Sequence, residues 1–173
     1  MNSKERRGLI KEFLISSNTP LKGAEIAKNL KVTRQVIVKD VALLRAEGFN
    51  IIATPEGYIL DNNLDSNLKK IIAVSHKRED IENELYLIIK FGGIINDVII
   101  EHPLYGEIRA MLKISNLADL ENFMRKLDRY RAEPLSKLTN GIHLHTIEAK
   151  DKDTMDCILR ELEKSGYLIV EDN

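Results

Sequence analysis

Residues 29–60 read NLKVTRQVIVKDVALLRAEGFNIIATPEGYIL, and this stretch decides how the N-terminal part of the chain folds. Thr33 is placed as an N-cap, because its hydroxyl can accept from a free backbone N–H at a helix start. The helix it opens is predicted over Arg34 to Glu47. Ile37, Val41 and Leu44 fall at helical spacing along one side, and Gly48 is placed to stop the helix. Two short strands follow, Asn50 to Ala53 and Gly57 to Leu60, around the turn Thr54-Pro55-Glu56-Gly57.

Upstream, Ser3 to Ser17 reads as a helix with Leu9, Ile10, Phe13 and Leu14 on its apolar face, ended by Asn18, Thr19 and Pro20. Ala24 to Leu30 is a second, shorter helix, and Lys31-Val32 is the tight turn into the third. Three helices closed by a β-hairpin is the order of a winged helix-turn-helix. The rival is a small helical domain that binds another protein. DNA is favoured by the start of the third helix, which offers Thr33, Arg34, Gln35 and, one turn on, Lys39. These residue types reach base edges and phosphates from a recognition helix. Arg45 is a further candidate for a phosphate, with an ordinary solvated arginine as the alternative.

Charge agrees mildly with this reading. Residues 1–61 carry ten Lys/Arg against seven Asp/Glu, whereas the rest carries sixteen against twenty, so the total of −1 conceals a positive N-terminal part. At 43% hydrophobic residues the chain can bury a core. A single cysteine, Cys157, cannot form an internal disulfide and fits a reducing cytoplasm. No secretion signal and no apolar run long enough to span a bilayer is visible, so a cytoplasmic protein without membrane contact is expected.

Residues Asp61 to Asn67, DNNLDSN, read as a linker between a first domain over 1–61 and a second over 68–173. The second part reads β-α-β-β-α-β-α-β. Its strands are Leu68 to Ser75, Ile94 to Glu101, Tyr105 to Ile114, Ile142 to Ala149 and Tyr167 to Val170. Its helices are Glu79 to Phe91, Asn116 to Tyr130 and Asp153 to Ser165, and the segment 131–141 is a polar loop. The fold class is therefore α+β, a helix-turn-helix followed by a sandwich of helices on a largely antiparallel sheet.

All four histidines, His76, His102, His143 and His145, lie in this second part. On a strand, His143 and His145 point to the same face, so their rings can converge on one ion while Leu144 turns into the core. His76 ends the first strand of the domain, and Glu84 follows eight residues later on a helix, where a solvated carboxylate is the plain alternative. Three imidazoles and a carboxylate suit nickel, zinc, iron or cobalt better than calcium or magnesium. His102 and Tyr105 lie in the turn His102-Pro103-Leu104-Tyr105-Gly106, where Pro and Gly are explained by turn chemistry and the histidine is not.

The blocks VTRQVIVKDVALLRAEGFNIIATPEGYIL, VSHKREDIENELYLIIKFGGIINDVIIEHPLYGEI and GIHLHTIEA resemble, in order and over essentially the whole chain, the winged-helix regulators with a C-terminal 3H domain. Members of that family include nicotinate-responsive repressors of NAD-biosynthesis and niacin-uptake genes in bacteria. The resemblance implies a homodimer on a two-fold DNA operator and nicotinic acid as corepressor. It implies a divalent metal, with nickel or zinc foremost, held by His76, Glu84, His143 and His145. Whichever polar group of nicotinate stays off the metal needs a donor, a role offered to His102, Tyr105 or Arg109. Two rivals keep the metal but drop the effector: a regulator for which the ion itself is the signal, and a structural site. A third, a metal-dependent hydrolase, lacks a second carboxylate or nucleophile spaced beside the histidines and lacks a phosphate-binding glycine loop.

Overall fold

The computed structural model describes residues 2–61 and 67–170. The predicted linker falls largely on 62–66, outside the described residues. The chain divides into two compact units, Met1–Asp65 and Ser66–Asn173.

The first unit is built from α1 (Ser3–Ser16), α2 (Gly23–Asn29), α3 (Arg34–Ala46), β1 (Ile51–Thr54) and β2 (Gly57–Leu60). A capping box starts α1: the Asn2 side chain accepts from the Glu5 N–H, and the Glu5 carboxylate accepts from the Asn2 N–H. Ile10 and Leu14 of α1, Ile26 of α2, and Ile37, Val41 and Leu44 of α3 meet in one core with Ile51 of the hairpin. The rotation of α3 about its axis is fixed a second time by a polar contact. Asp40, almost fully buried, receives both Nε and Nη2 of Arg6 from α1. Thr33 does occupy the N-cap of α3, but its side chain makes no capping bond, contrary to the reason given for it. The hairpin is tied back to the helices by a bridge between Leu21 and Tyr58. Gly57 is required there: its φ is 140°, and a Cβ would lie 2.3 Å from the Leu21 carbonyl oxygen.

The second unit contains β3 (Leu68–Ser75), α4 (Ile81–Lys90), β4 (Ile94–His102), β5 (Gly106–Ile114), α5 (Leu117–Arg129), β6 (Ile142–Ala149) and α6 (Lys152–Lys164). The sheet order is β3-β6-β4-β5, and every neighbouring pair is antiparallel. Ile72, Val74, Ile95 and Ile147 share one face of it and join Leu85 and Ile88 of α4, Leu120 and Leu127 of α5, and Ile158 and Leu162 of α6 in a single core. The helices thus cover one face of the sheet.

Four local expectations need correction. A 3-10 turn, Arg78–Asp80, precedes α4 where a continuous helix was expected, and another, Leu135–Thr139, lies in the segment read as loop. The last strand shrinks to an isolated bridge of Leu168 with Val74, supported by hydrogen bonds of Tyr167 and Ile169 to the edge of β3. Leu144 is half-buried on the opposite face. It is His143 and His145 that share the core face with Ile147, since their ladder partners are Val74 and Ile72. No helix among the described residues is long and apolar enough to cross a membrane.

Candidate metal centre and ligand cavity

Four side chains from three places in the second unit converge inside it. His76 follows the end of β3, Glu84 lies on α4, and His143 and His145 lie on β6. Glu84 is carried inward because α4 buries Ile81, Glu84, Leu85 and Ile88, the i, i+3, i+4, i+7 stripe of a helix packed on a sheet. Ligand atoms of His76, Glu84 and His143 all lie within 4.8 Å of one another. Glu84 Oε2 is 2.7 Å from His76 Nε2 and 3.8 Å from His143 Nε2, and its other oxygen, Oε1, is 3.3 Å from His145 Nε2. All four side chains are 3% exposed or less, so this is not a solvated helix face.

The far nitrogen of every ring is anchored to a backbone carbonyl. His76 Nδ1 donates to Lys77 O at 2.8 Å, His143 Nδ1 to Gly141 O at 2.8 Å, and His145 Nδ1 to Asp97 O at 2.6 Å. A carbonyl only accepts, so each Nδ1 carries a hydrogen and each Nε2 is left for one more proton or a metal ion. Such carbonyl partners are the usual outer support of metal-ligating histidines. Glu84 Oε1 and His145 Nε2 are buried without any hydrogen-bond partner, which a shared cation would remedy. The donor set of three imidazole nitrogens and a carboxylate therefore fits a divalent first-row transition metal.

The electrostatics are those of a buried charge cluster. Burial alone would raise the Glu84 pKa, but the charge on His145 and hydrogen bonds from the neighbouring imidazoles outweigh it and hold the carboxylate well below its usual range. For His76 and His145, burial lowers the pKa, and the facing Glu84 carboxylate more than compensates, so both imidazoles are held above their ordinary value.

Beside the cluster lies a cavity of about 230 Å³. The four polar side chains form one wall, while Val98, Leu112, Phe123, Leu127 and Leu135 give the rest an apolar character. An apolar cavity of roughly 150 Å³ holds a benzene ring, so this one accommodates a single small aromatic ring with one substituent.

His102, Tyr105 and Arg109 are not brought to this cavity. His102 and Tyr105 sit at the tip of the β4–β5 hairpin. The otherwise unexplained histidine has turn chemistry of its own, since its Nδ1 accepts from the N–H groups of Leu104 and Tyr105. Arg109 instead pairs with Asp97 at 3.1 Å and with Glu107 at 3.2 Å. Asp97 and Gly141 are the residues that the sequence did not single out. The Asp97 carbonyl holds His145, and its carboxylate accepts from the next backbone N–H, that of Thr146, at 2.8 Å. Its signal was visible as an acid interrupting the apolar run 94–100. Gly141 orients His143 and presses against the His76 backbone.

In the first unit, Thr33, Arg34, Gln35, Lys39 and Arg45 are all exposed. The Arg34 side chain lies beside Gly23 of α2.

A three-helix head with a β-hairpin, followed in the chain by an α+β unit, is the arrangement of a helix-turn-helix regulator with a second, C-terminal domain. The chain matches the 3H domain family over residues 69–171 and an HTH domain family over residues 6–59. It is 46% identical over 168 residues to the probable transcription repressor NiaR of Thermotoga maritima, covering 97% of this chain and 95% of the relative. It is 40% identical over 167 residues to the transcription repressor NadR of Bacillus subtilis, covering 95% and 93%. The protein belongs to this family of helix-turn-helix repressors with a 3H domain, and it is not an enzyme.

Proposed function

We propose that the protein is a homodimeric transcription repressor of NAD-biosynthesis or niacin-uptake genes, with nicotinic acid as corepressor. Residues 1–61 bind the operator, and residues 68–173 hold a divalent metal and the effector. The observation that carries the sensing half is the convergence of His76, His143 and the Glu84 carboxylate, with His145 against the other Glu84 oxygen, at a largely apolar cavity of ring size that Glu133 and Ser136 also line. His76, Glu84, His143 and His145 hold the ion, with nickel or zinc foremost. A bound ion supplies a Lewis-acidic position for the carboxylate or the pyridine nitrogen of nicotinate. Phe123, Leu127 and Leu112 then enclose the ring and exclude water. The names of the two relatives, both repressors, support the DNA-binding half.

For nicotinate to act as a switch it must bind one arrangement of the dimer better than another. A coupling of about 1–3 kcal/mol changes operator affinity by one to two orders of magnitude. The two recognition helices enter half-sites about one helical turn, or a multiple of it, apart.

The test is titration calorimetry of nicotinic acid into nickel- or zinc-loaded protein, repeated after chelation, with nicotinamide as control. Saturable binding of the acid that disappears on chelation is the expected result. Binding that ignores chelation overturns the metal-linked site. No binding in either state overturns the effector and leaves the ion itself as the signal.

A further inference from the structure

Val38 is 44% exposed on α3, in the middle of the helix that the proposed function assigns to the major groove. Its direction is not an accident of fraying. Ile37, Val41 and Leu44 are buried on the adjoining side, and the Arg6–Asp40 ion pair locks the helix against α1. At 100° per residue, Arg34, Val38, Ala42 and Arg45 fall within a narrow arc, with Gln35 and Lys39 flanking it. All six are exposed. The stripe therefore runs from a cation through a branched apolar side chain and a methyl group to a second cation. A β-branched residue is a poorer helix former than alanine, and at an exposed position no core packing offsets that.

Major-groove edges offer one apolar feature, the 5-methyl group of thymine. Ala42, one turn beyond Val38, keeps the helix surface low enough for the groove wall to approach. Gln35, one turn before, is of the type that pairs bidentately with adenine. We propose that Val38 is a specificity-determining residue that packs on a thymine 5-methyl group in each operator half-site. This rests on the DNA-binding reading above.

The test removes one methyl group at a time. A duplex is first selected from a random-sequence pool by the full-length, metal-loaded protein, with and without nicotinic acid. Each thymine of the selected site is then replaced by deoxyuridine, which lacks only the 5-methyl group, and binding is measured for the wild type and for Val38→Ala. The expected result is one thymine per half-site whose demethylation weakens the wild type by roughly fourfold, the equivalent of one buried methyl group. Val38→Ala binds the thymine and deoxyuridine forms of that site equally. If a duplex is selected and no thymine shows a methyl effect that depends on Val38, the proposal is overturned and the DNA-binding reading stands. Failure to select any duplex overturns both. Alanine is a better helix former than valine, so the variant keeps α3, and Val38→Thr, which retains one methyl group, keeps part of the discrimination.

Discussion

Asp97 holds His145 through two separate contacts, which makes it the most informative residue outside the donor set. Its carbonyl orients the ring, and its carboxylate pins the following peptide of β6 while facing Arg109. Outer partners of this kind typically contribute 10- to 100-fold to metal affinity. Asp97→Ala keeps the donor set and the carbonyl that orients the ring but removes the carboxylate that pins the Thr146 peptide, so it is expected to weaken nickel or zinc binding by no more than about tenfold, read by competition with a chromophoric chelator. An unchanged affinity would leave the contact a purely structural one. Glu84→Gln removes the charge that the three imidazoles face and is expected to weaken the metal further than Asp97→Ala. The sequence carried part of this. An acid at position 84 lies between Ile81, Leu85 and Ile88 on a buried stripe, although the sequence reading kept a solvated carboxylate as its alternative. The i, i+2 histidines were equally legible, although their face was not: Leu144 is apolar, yet the core belongs to the histidines. Gly141, which acts through its backbone carbonyl, leaves no side-chain signature to read, whereas Asp97 showed only as an acid interrupting the run 94–100.

At the scale of elements, β3 and β6 were legible to the residue, because alternation and flanking turn residues bound them on both sides. What escaped was irregular backbone. The β4 register shifts around Asn96 and Asp97, freeing the Asp97 carbonyl for His145 instead of the ladder. The segment ahead of β6 holds Asn140 and Gly141 at φ of 52° and 96°. Gly141 cannot be anything else there, since a Cβ would lie 2.6 Å from the His76 carbonyl oxygen. Gly141→Ala therefore has to displace either His76 or the carbonyl that orients His143. The expected outcome is a loss of metal affinity accompanied by a fall in thermal stability, with operator binding by α3 and the hairpin retained. Normal affinity in a folded Gly141→Ala protein would show that the approach of these two segments is incidental. In the first unit the tight turn and the buried stripe of α3 gave the helix-turn-helix directly, whereas the Arg6–Asp40 lock spans 34 positions and no local pattern announces it.

For the molecule as a whole, the proposed metal would compete with protons at His76 and His145. His76 and His145 have raised pKa values, so the stability from their charged forms is complete below about 6.5 and is lost as pH rises through the folded values. Glu84 has a depressed value, and its contribution appears above about 4.5 and is lost as pH falls through the folded one. A metal ion requires the opposite of the histidines: each Nε2 must be unprotonated, and binding releases protons. Because both values are raised, protons are held on these imidazoles to a higher pH than on a free one. Metal affinity is expected to fall as pH is lowered from about 8 to about 6, and the stabilisation that metal gives over chelated protein should shrink over the same interval. Thermal unfolding of loaded and chelated protein across that range reads this directly. A gap in melting temperature that stays constant with pH would mean that the imidazoles are not the ligands. The proposed function carries this linkage to the operator. His143→Ala leaves the residues of α3 untouched, so it should bind selected DNA in the absence of effector like the wild type, yet gain nothing from nicotinic acid at any pH. A His143→Ala protein that still tightened on its operator with nicotinic acid would separate the effector from the metal cluster.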